Sequence, residues 1–330
     1  MKKGSSLEMN SGEKIVRLFK NGGTTFSLIL VYIVICIVFS ILSPYFFAVN
    51  NFLNIGVYAS IIGVMAAGST IAMLLGAIDI SQYSVATTAN VIGVLLMTAG
   101  YPLPVIIVTI IAVGALFGFI NGFLTAYCQI PAIIVTLGTM QVFRAIGYII
   151  SSGSTMTFSN AAFSVFGKGY AFGVIPVSII IVVVAMLIAH YILNSTSYGR
   201  RVYAVGGNEK ASYLSGINTK ATKLIALVIC GVASSIGGII IASQLSAVIP
   251  STGVGSEMGI LAAIILGGMS LTGGRGGIPG TVMGVLILAT IQNGLTLLST
   301  PSFYVMLVNG IILILAVFLD VIRSGVMKKQ

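Results

Sequence analysis

The chain has 330 residues, of which 57% are hydrophobic and 7% charged, with a formal net charge of +10. A water-soluble fold of that composition would lack the polar groups to face solvent. Composition therefore excludes one and points to an all-α, polytopic membrane helical bundle. The positive charge does not mark a nucleic-acid binder either, because it gathers in a few short stretches between long apolar runs.

Residues 1–25 are polar and carry Lys2, Lys3, Lys14, Arg17 and Lys20; they read as an N-terminal segment outside the bilayer. The apolar sequence that follows has room for about ten spans of roughly 20 residues each. They are expected near Phe26–Ser43, Phe52–Leu75, Ile80–Ala99, Pro104–Tyr127, Ala132–Ser151, Phe172–Leu193, Leu224–Ala247, Met258–Leu271, Ile278–Leu298 and Tyr304–Ile322. Lipid offers no partner to a free backbone group, so each is expected to be helical. The eighth is short and reads as broken or tilted. No small-residue cleavage site follows the first run, at Ser43-Pro44-Tyr45-Phe46, which reads as an uncleaved span. Residues 26–322 thus form one membrane domain, and residues 323–330 a short tail.

Lysine and arginine set the orientation. Arg200, Arg201, Lys210, Lys220 and Lys223 fill one interior polar loop, residues 195–223. Arg275 separates spans eight and nine, and Arg323, Lys328 and Lys329 follow the last. An even number of spans puts all of them on one side with the N-terminal cluster, leaving Lys168 opposite. The positive-inside rule then places both termini and the long loop in the cytoplasm.

Cys36, Cys128 and Cys230 are scattered and odd in number, which suits small apolar side chains within helices better than a disulfide framework or a zinc site. The chain's glycines are more informative. Gly114, Gly118 and Gly122 recur every four residues, so one helix face is bare enough for a neighbouring helix to approach closely. Sliding the chain against itself by 191 positions, an offset that sets Gly68 on Gly259, Leu75 on Leu266, Gly76 on Gly267 and Gly93 on Gly284, suggests an internal repeat. Repeated halves broken at matching points are typical of transporters.

Within the interior loop, Asn208 is a favoured helix N-cap, Glu209 suits the positive start of a helix, and Gly216 supplies a left-handed stop. A helix of about two turns is expected between them. Gly273 to Thr281 is glycine-rich but lacks the Gly-Lys-Ser/Thr ending that grips phosphate and magnesium. Asp79 and Glu257 are the carboxylates nearest the spans. Each stands at a boundary where it is expected to cap a helix; the competing reading makes them proton sites of a self-contained secondary transporter. Arg144 lies within the fifth span, towards its outer end.

The loop resembles the coupling segment of the permeases of bacterial ATP-binding-cassette sugar importers, in the ribose, xylose and galactoside branch. The match runs through Gly199, Arg200, Arg201, Ala204, Gly206, Gly207, Asn208, Ser215, Gly216 and Ile217. It extends to Gly76-Ala77-Ile78-Asp79-Ile80-Ser81, to Thr136-Leu137-Gly138-Thr139-Met140 with Arg144, and to Gly273-Gly274-Arg275-Gly276. Gln82-Tyr83-Ser84 departs from that family's more usual Val-Gly-Ser. The resemblance, which covers about Phe46 to Asp320, implies a bacterial inner-membrane homodimer fed by an extracytoplasmic sugar-binding protein. A separate ATPase subunit would drive it by gripping the loop, so Arg200, Arg201, Asn208, Glu209, Ala211 and Gly216 become the coupling residues. The cargo implied is a monosaccharide such as a ribose-like pentose, and neither a cofactor nor an enzymatic activity is expected of this chain. A neutral sugar needs hydrogen-bonding groups along its way. Of the amides Asn90, Asn121, Gln141, Gln244, Gln292 and Asn293, the two flanked by glycine, Asn121 and Asn293, are the candidates for the pathway, with Asp79 and Arg144 assigned structural or gating roles.

Overall fold

The computed structural model describes residues 23–323. The terminal basic clusters lie outside them, so the N-terminal segment and the tail expected from sequence are mostly beyond the described residues. The chain runs through α1 (Gly23–Leu42), α2 (Val49–Leu74), α3 (Gln82–Thr98), α4 (Leu103–Ala126), α5 (Ala132–Ile150), α6 (Ala161–Lys168), α7 (Val177–Ser195), α8 (Ser197–Gly207) and α9 (Glu209–Leu214). It continues with α10 (Thr219–Leu245), α11 (Glu257–Leu266), α12 (Ile278–Leu297) and α13 (Ser302–Arg323). Two strand pairs interrupt the helices. β1 (Met156–Thr157) pairs antiparallel with β4 (Ala247–Val248), and β2 (Tyr170–Ala171) with β3 (Ile175–Pro176).

Proline marks several helix entries. It precedes α5 and α7 as Pro131 and Pro176, and occupies the first turn of α4 and α12 as Pro104 and Pro279. There its missing N–H costs nothing, because no intrahelical carbonyl awaits it. Six helices, α2, α4, α5, α7, α10 and α12, are long and apolar enough to cross a membrane among the described residues. The expected count of about ten is not reached on this measure: α3 has 17 residues, and α11 has 10.

The bundle is built around α2 and α3. Every residue from Ile62 to Leu75, and from Ile80 to Val91, is buried. By contrast α1, α4, α5 and α7 turn apolar side chains outward, as Ile41 (79% exposed) and Ile149 (76%) do. Such an exterior is stable only against acyl chains or another protein. The glycine ladder of α4 lies on α10: a methyl group on Gly118 would overlap the Leu227 carbonyl, and one on Gly114 the Ser235 side chain. Close backbone packing, the role expected of that spacing, is what it performs.

Two breaks interrupt the core, after α2 and after α11, and they close in the same way. At the first, Gly76 N donates to Met73 O (2.9 Å) and Ala77 N to Ala72 O (3.1 Å). At the second, Gly268 N donates to Ile265 O (2.8 Å) and Met269 N to Ile264 O (3.2 Å). Gly76 and Gly268 hold the left-handed position at φ +70° and +89°. The equivalent pair is therefore Gly76 and Gly268, one residue away from the 191-residue register of the sequence. Both neighbours at the second break are glycine, so identity alone did not decide between them.

Candidate functional site

The basic loop folds into two helices. The two-turn helix expected there is α9: Asn208 Oδ1 accepts from Ala211 N (2.9 Å), and Gly216 follows the end at φ +84°. The sequence reading missed α8, whose cap is Thr196 Oγ1 accepting from Gly199 N (3.1 Å). Arg200, Arg201, Glu209, Ala211 and Gly216 are all exposed. Tyr213 and Leu214 beside them are 68% and 76% exposed, an apolar tip on a polar elbow.

The buried side of α8 is anchored to the core. Tyr198 donates its hydroxyl to Thr222 O on α10 (2.9 Å), and Tyr203 to Gly276 O in the α11–α12 connection (3.1 Å). Burial pushes both phenols' pKa upward, so they stay protonated donors at neutral pH. Gly206 packs so tightly on the Leu74 carbonyl that any side chain would overlap it, and the same carbonyl accepts from Gly274 N (2.8 Å). The last turn of α8 thus touches both core breaks at once. Lys223 closes the elbow with a 2.6 Å ion pair to Glu209. Beside it opens a cleft of about 880 Å³, lined by Ala77, Thr125, Gln129, Lys210, Tyr213 and Lys220 among others.

Asp79 lies deeper, 2% exposed, in the first break. It does not cap α3 directly; Ser81 occupies that position and forms no side-chain cap. Instead Asp79 Oδ1 accepts from Ser81 N (2.8 Å) and Ser81 Oγ (2.6 Å), ordering the turn. From there a chain of bonds crosses the bundle: Asn121 Nδ2 on α4 donates to Ser81 Oγ (2.9 Å), and Thr139 Oγ1 on α5 to Asn121 Oδ1 (2.7 Å). Asn121, fully buried, therefore joins three elements. Asn293 is likewise engaged, donating to Asn51 Oδ1 on α2 (2.7 Å). Arg144 and Glu257, far apart in sequence, meet at 2.8 Å with side chains 11% exposed each. The Glu257 carboxylate thus binds α5 besides starting α11. Among the described residues no cluster of three or more His, Cys, Asp or Glu side chains could hold a metal ion.

A tightly packed helical bundle with outward apolar faces, matched breaks in its core and one exposed basic elbow defines a polytopic membrane permease. The chain belongs to the family described as the permease component of the branched-chain amino acid transport system, which matches residues 51–317. It is 38% identical to the ribose import permease protein of Haemophilus influenzae over 298 residues, 89% of this chain and 92% of that protein. Its identity to the Bacillus subtilis ribose import permease is 39% over 294 residues, 88% and 91% of the two chains. Against the L-arabinose transport system permease of Escherichia coli it is 36% over 295 residues, 89% and 90%. No solved structure matches.

Proposed function

We propose that the chain is the translocating subunit of an ATP-binding-cassette importer for a pentose of the ribose or arabinose type. The reading is carried by near full-length identity to permeases named for those two sugars. A neutral cargo also suits the interior, whose polar groups are chiefly amides and hydroxyls, with Arg144 and Glu257 spent on each other.

In this reading residues 26–322 are the membrane domain, both termini and the 195–223 loop lie in the cytoplasm of a bacterial inner membrane, and two copies enclose the pathway. A binding protein delivers sugar from outside, and a separate ATPase seats on the exposed side of α9 around Ala211, Tyr213 and Leu214. Arg200 and Arg201 on α8 supply charge for acidic groups of the ATPase, while Asn208 and Gly216 fix the ends of α9 and Glu209 ties it to α10. When the ATPase closes, α8 moves with it and transmits the displacement to both core breaks through Gly206 and Tyr203. Asp79, Asn121 and Asn293 hold the helices that line the pathway, and Arg144 secures its outer part. The chain needs no cofactor of its own.

Reconstitution in proteoliposomes with the ATPase and sugar-binding protein tests this directly. ATP-dependent uptake of labelled ribose or arabinose is expected, with no ATP hydrolysis by this chain alone. The buried Asp79 favours one rival, a proton-coupled transporter. Uptake driven by a proton gradient without ATP, with a pH profile that shifts in Asp79→Asn, would replace the importer reading.

A further inference from the structure

Helix α5 presents a polar side chain where its surroundings call for an apolar one. It is among the helices long and apolar enough to cross a membrane, and Gln141 stands nine residues from either end, Ala132 and Ile150. At the helical rise that is about 14 Å from each, the middle of a hydrocarbon layer about 30 Å thick. Gln141 is nevertheless exposed on the surface of the chain and makes no hydrogen bond among the described residues. Hydrocarbon offers an amide no partner, and polar side chains at that depth almost always face protein or water.

The residues around Gln141 form a pattern. Thr136, Thr139, Phe143 and Gly147 face inward and are buried, whereas Ile134, Gly138, Gln141, Ala145 and Tyr148 are all exposed. Those five recur at intervals of four, three, four and three residues, the spacing of a seam along which two helices pack. Small residues stand on both sides of the amide, as close approach between helices in a membrane requires. The two glycines of α5 differ in what needs them. A methyl group on Gly147 would overlap Thr88 Oγ1, so the chain's own packing accounts for that one. A methyl group on Gly138 would meet nothing within 4 Å. Glycine destabilises a helix relative to alanine, and nothing inside this chain uses the bare position.

We propose that this stripe meets the same stripe of a second copy on a two-fold axis, and that the two Gln141 amides close the pathway at mid-membrane. The inference rests on the reading in which two copies enclose that pathway. An amide is both donor and acceptor, so two of them related by a two-fold axis exchange a pair of hydrogen bonds. Only residues on the axis meet their own counterparts, and the axis is also where a passage between two copies runs. The seam is therefore a closed gate, which opens when α5 and its counterpart separate. The freed amides then face the passage with groups that bond a sugar's hydroxyls.

The test uses the complex reconstituted with its ATPase and binding protein, in a chain carrying Cys36→Ala, Cys128→Ala and Cys230→Ala. Gln141→Cys treated with a membrane-permeant oxidant is expected to give a covalent dimer, which needs the two Cα atoms within about 7 Å. Leu187→Cys, 63% exposed on α7, should give none under the same treatment. The oxidised Gln141→Cys complex should import sugar about tenfold or more slowly than the same complex after reduction, because a gate that cannot part stops transport. Ala145→Cys, one turn along the seam, should lock in the same way with the amide in place. Adding Gly138→Leu, for which the chain itself has room, should cut the cross-linking several-fold. No covalent dimer from either seam position, a dimer that forms as readily from Leu187→Cys, undiminished cross-linking with Gly138→Leu, or full uptake by the oxidised complex overturns the proposal. A parental complex that holds a single copy, or imports no sugar, sinks the importer reading first, and the two failures are thus told apart.

Discussion

The elbow formed by α8 and α9 and the buried part of α3 are opposites. One is charged and exposed, and its tip α9 is capped by a bond between near neighbours; the other is uncharged, buried and tied in part to a distant helix. Asn208 reaches Ala211, three residues on, whereas Asn90 reaches Ser235, 145 residues away. A part that engages a soluble partner can be specified locally, because its geometry must survive in water. A part packed inside the bundle draws its geometry from the whole bundle.

The largest effect is expected where the elbow is broken outright. Ala211→Pro removes the N–H that Asn208 Oδ1 accepts and puts a rigid ring in a six-residue helix. ATP-driven uptake should fall by about tenfold or more, because the variant loses the cap bond, worth about 1 kcal/mol, and the residue before a proline is pushed out of helical conformation. The membrane core should be untouched, so the protein should insert normally and keep its melting temperature. Normal uptake in a correctly assembled complex would remove α9 from the coupling role.

Breaking the interior gives the converse pattern. Arg144→Ala leaves Glu257 buried without its 2.8 Å partner, and loss of one member of such a pair typically costs about 3 kcal/mol. The melting temperature should drop by several degrees, with the elbow's protease sensitivity unchanged. Exchanging the two residues should recover part of the loss. If Arg144→Ala melts like the parent, the pair does not anchor α11.

The same contrast explains what was legible in the sequence. The cap at Asn208, the stop at Gly216, the four-residue glycine ladder on α4 and the shortness of the eighth span are local patterns, and the structure contains each of them. Helix α8 escaped notice because it is neither apolar nor obviously capped; its Thr196 cap bonds Gly199, a residue read only as part of a motif. Asn121 and Asn293 were chosen for their glycine neighbours, but a sequence does not say whether an amide finds a partner across the bundle. Both did, at Ser81 and Asn51, while Asn90 kept an unpaired oxygen.

The smallest effect sharpens the comparison most. Lys223 and Glu209 form the elbow's only ion pair among the described residues, at 2.6 Å, but the side chains are 19% and 51% exposed. Water and salt screen such a pair, so it contributes only about 0.5 kcal/mol. The Asn208 cap, by contrast, satisfies a backbone donor and is worth about 1 kcal/mol. Lys223→Ala should therefore leave uptake within about twofold of the parent and insensitive to added salt, whereas Asn208→Ala should reduce it several-fold. If the order were reversed, the elbow would be held by charge at its surface and not by its own backbone. Its orientation would then depend on ionic strength, and a strut that slackens with salt transmits force poorly.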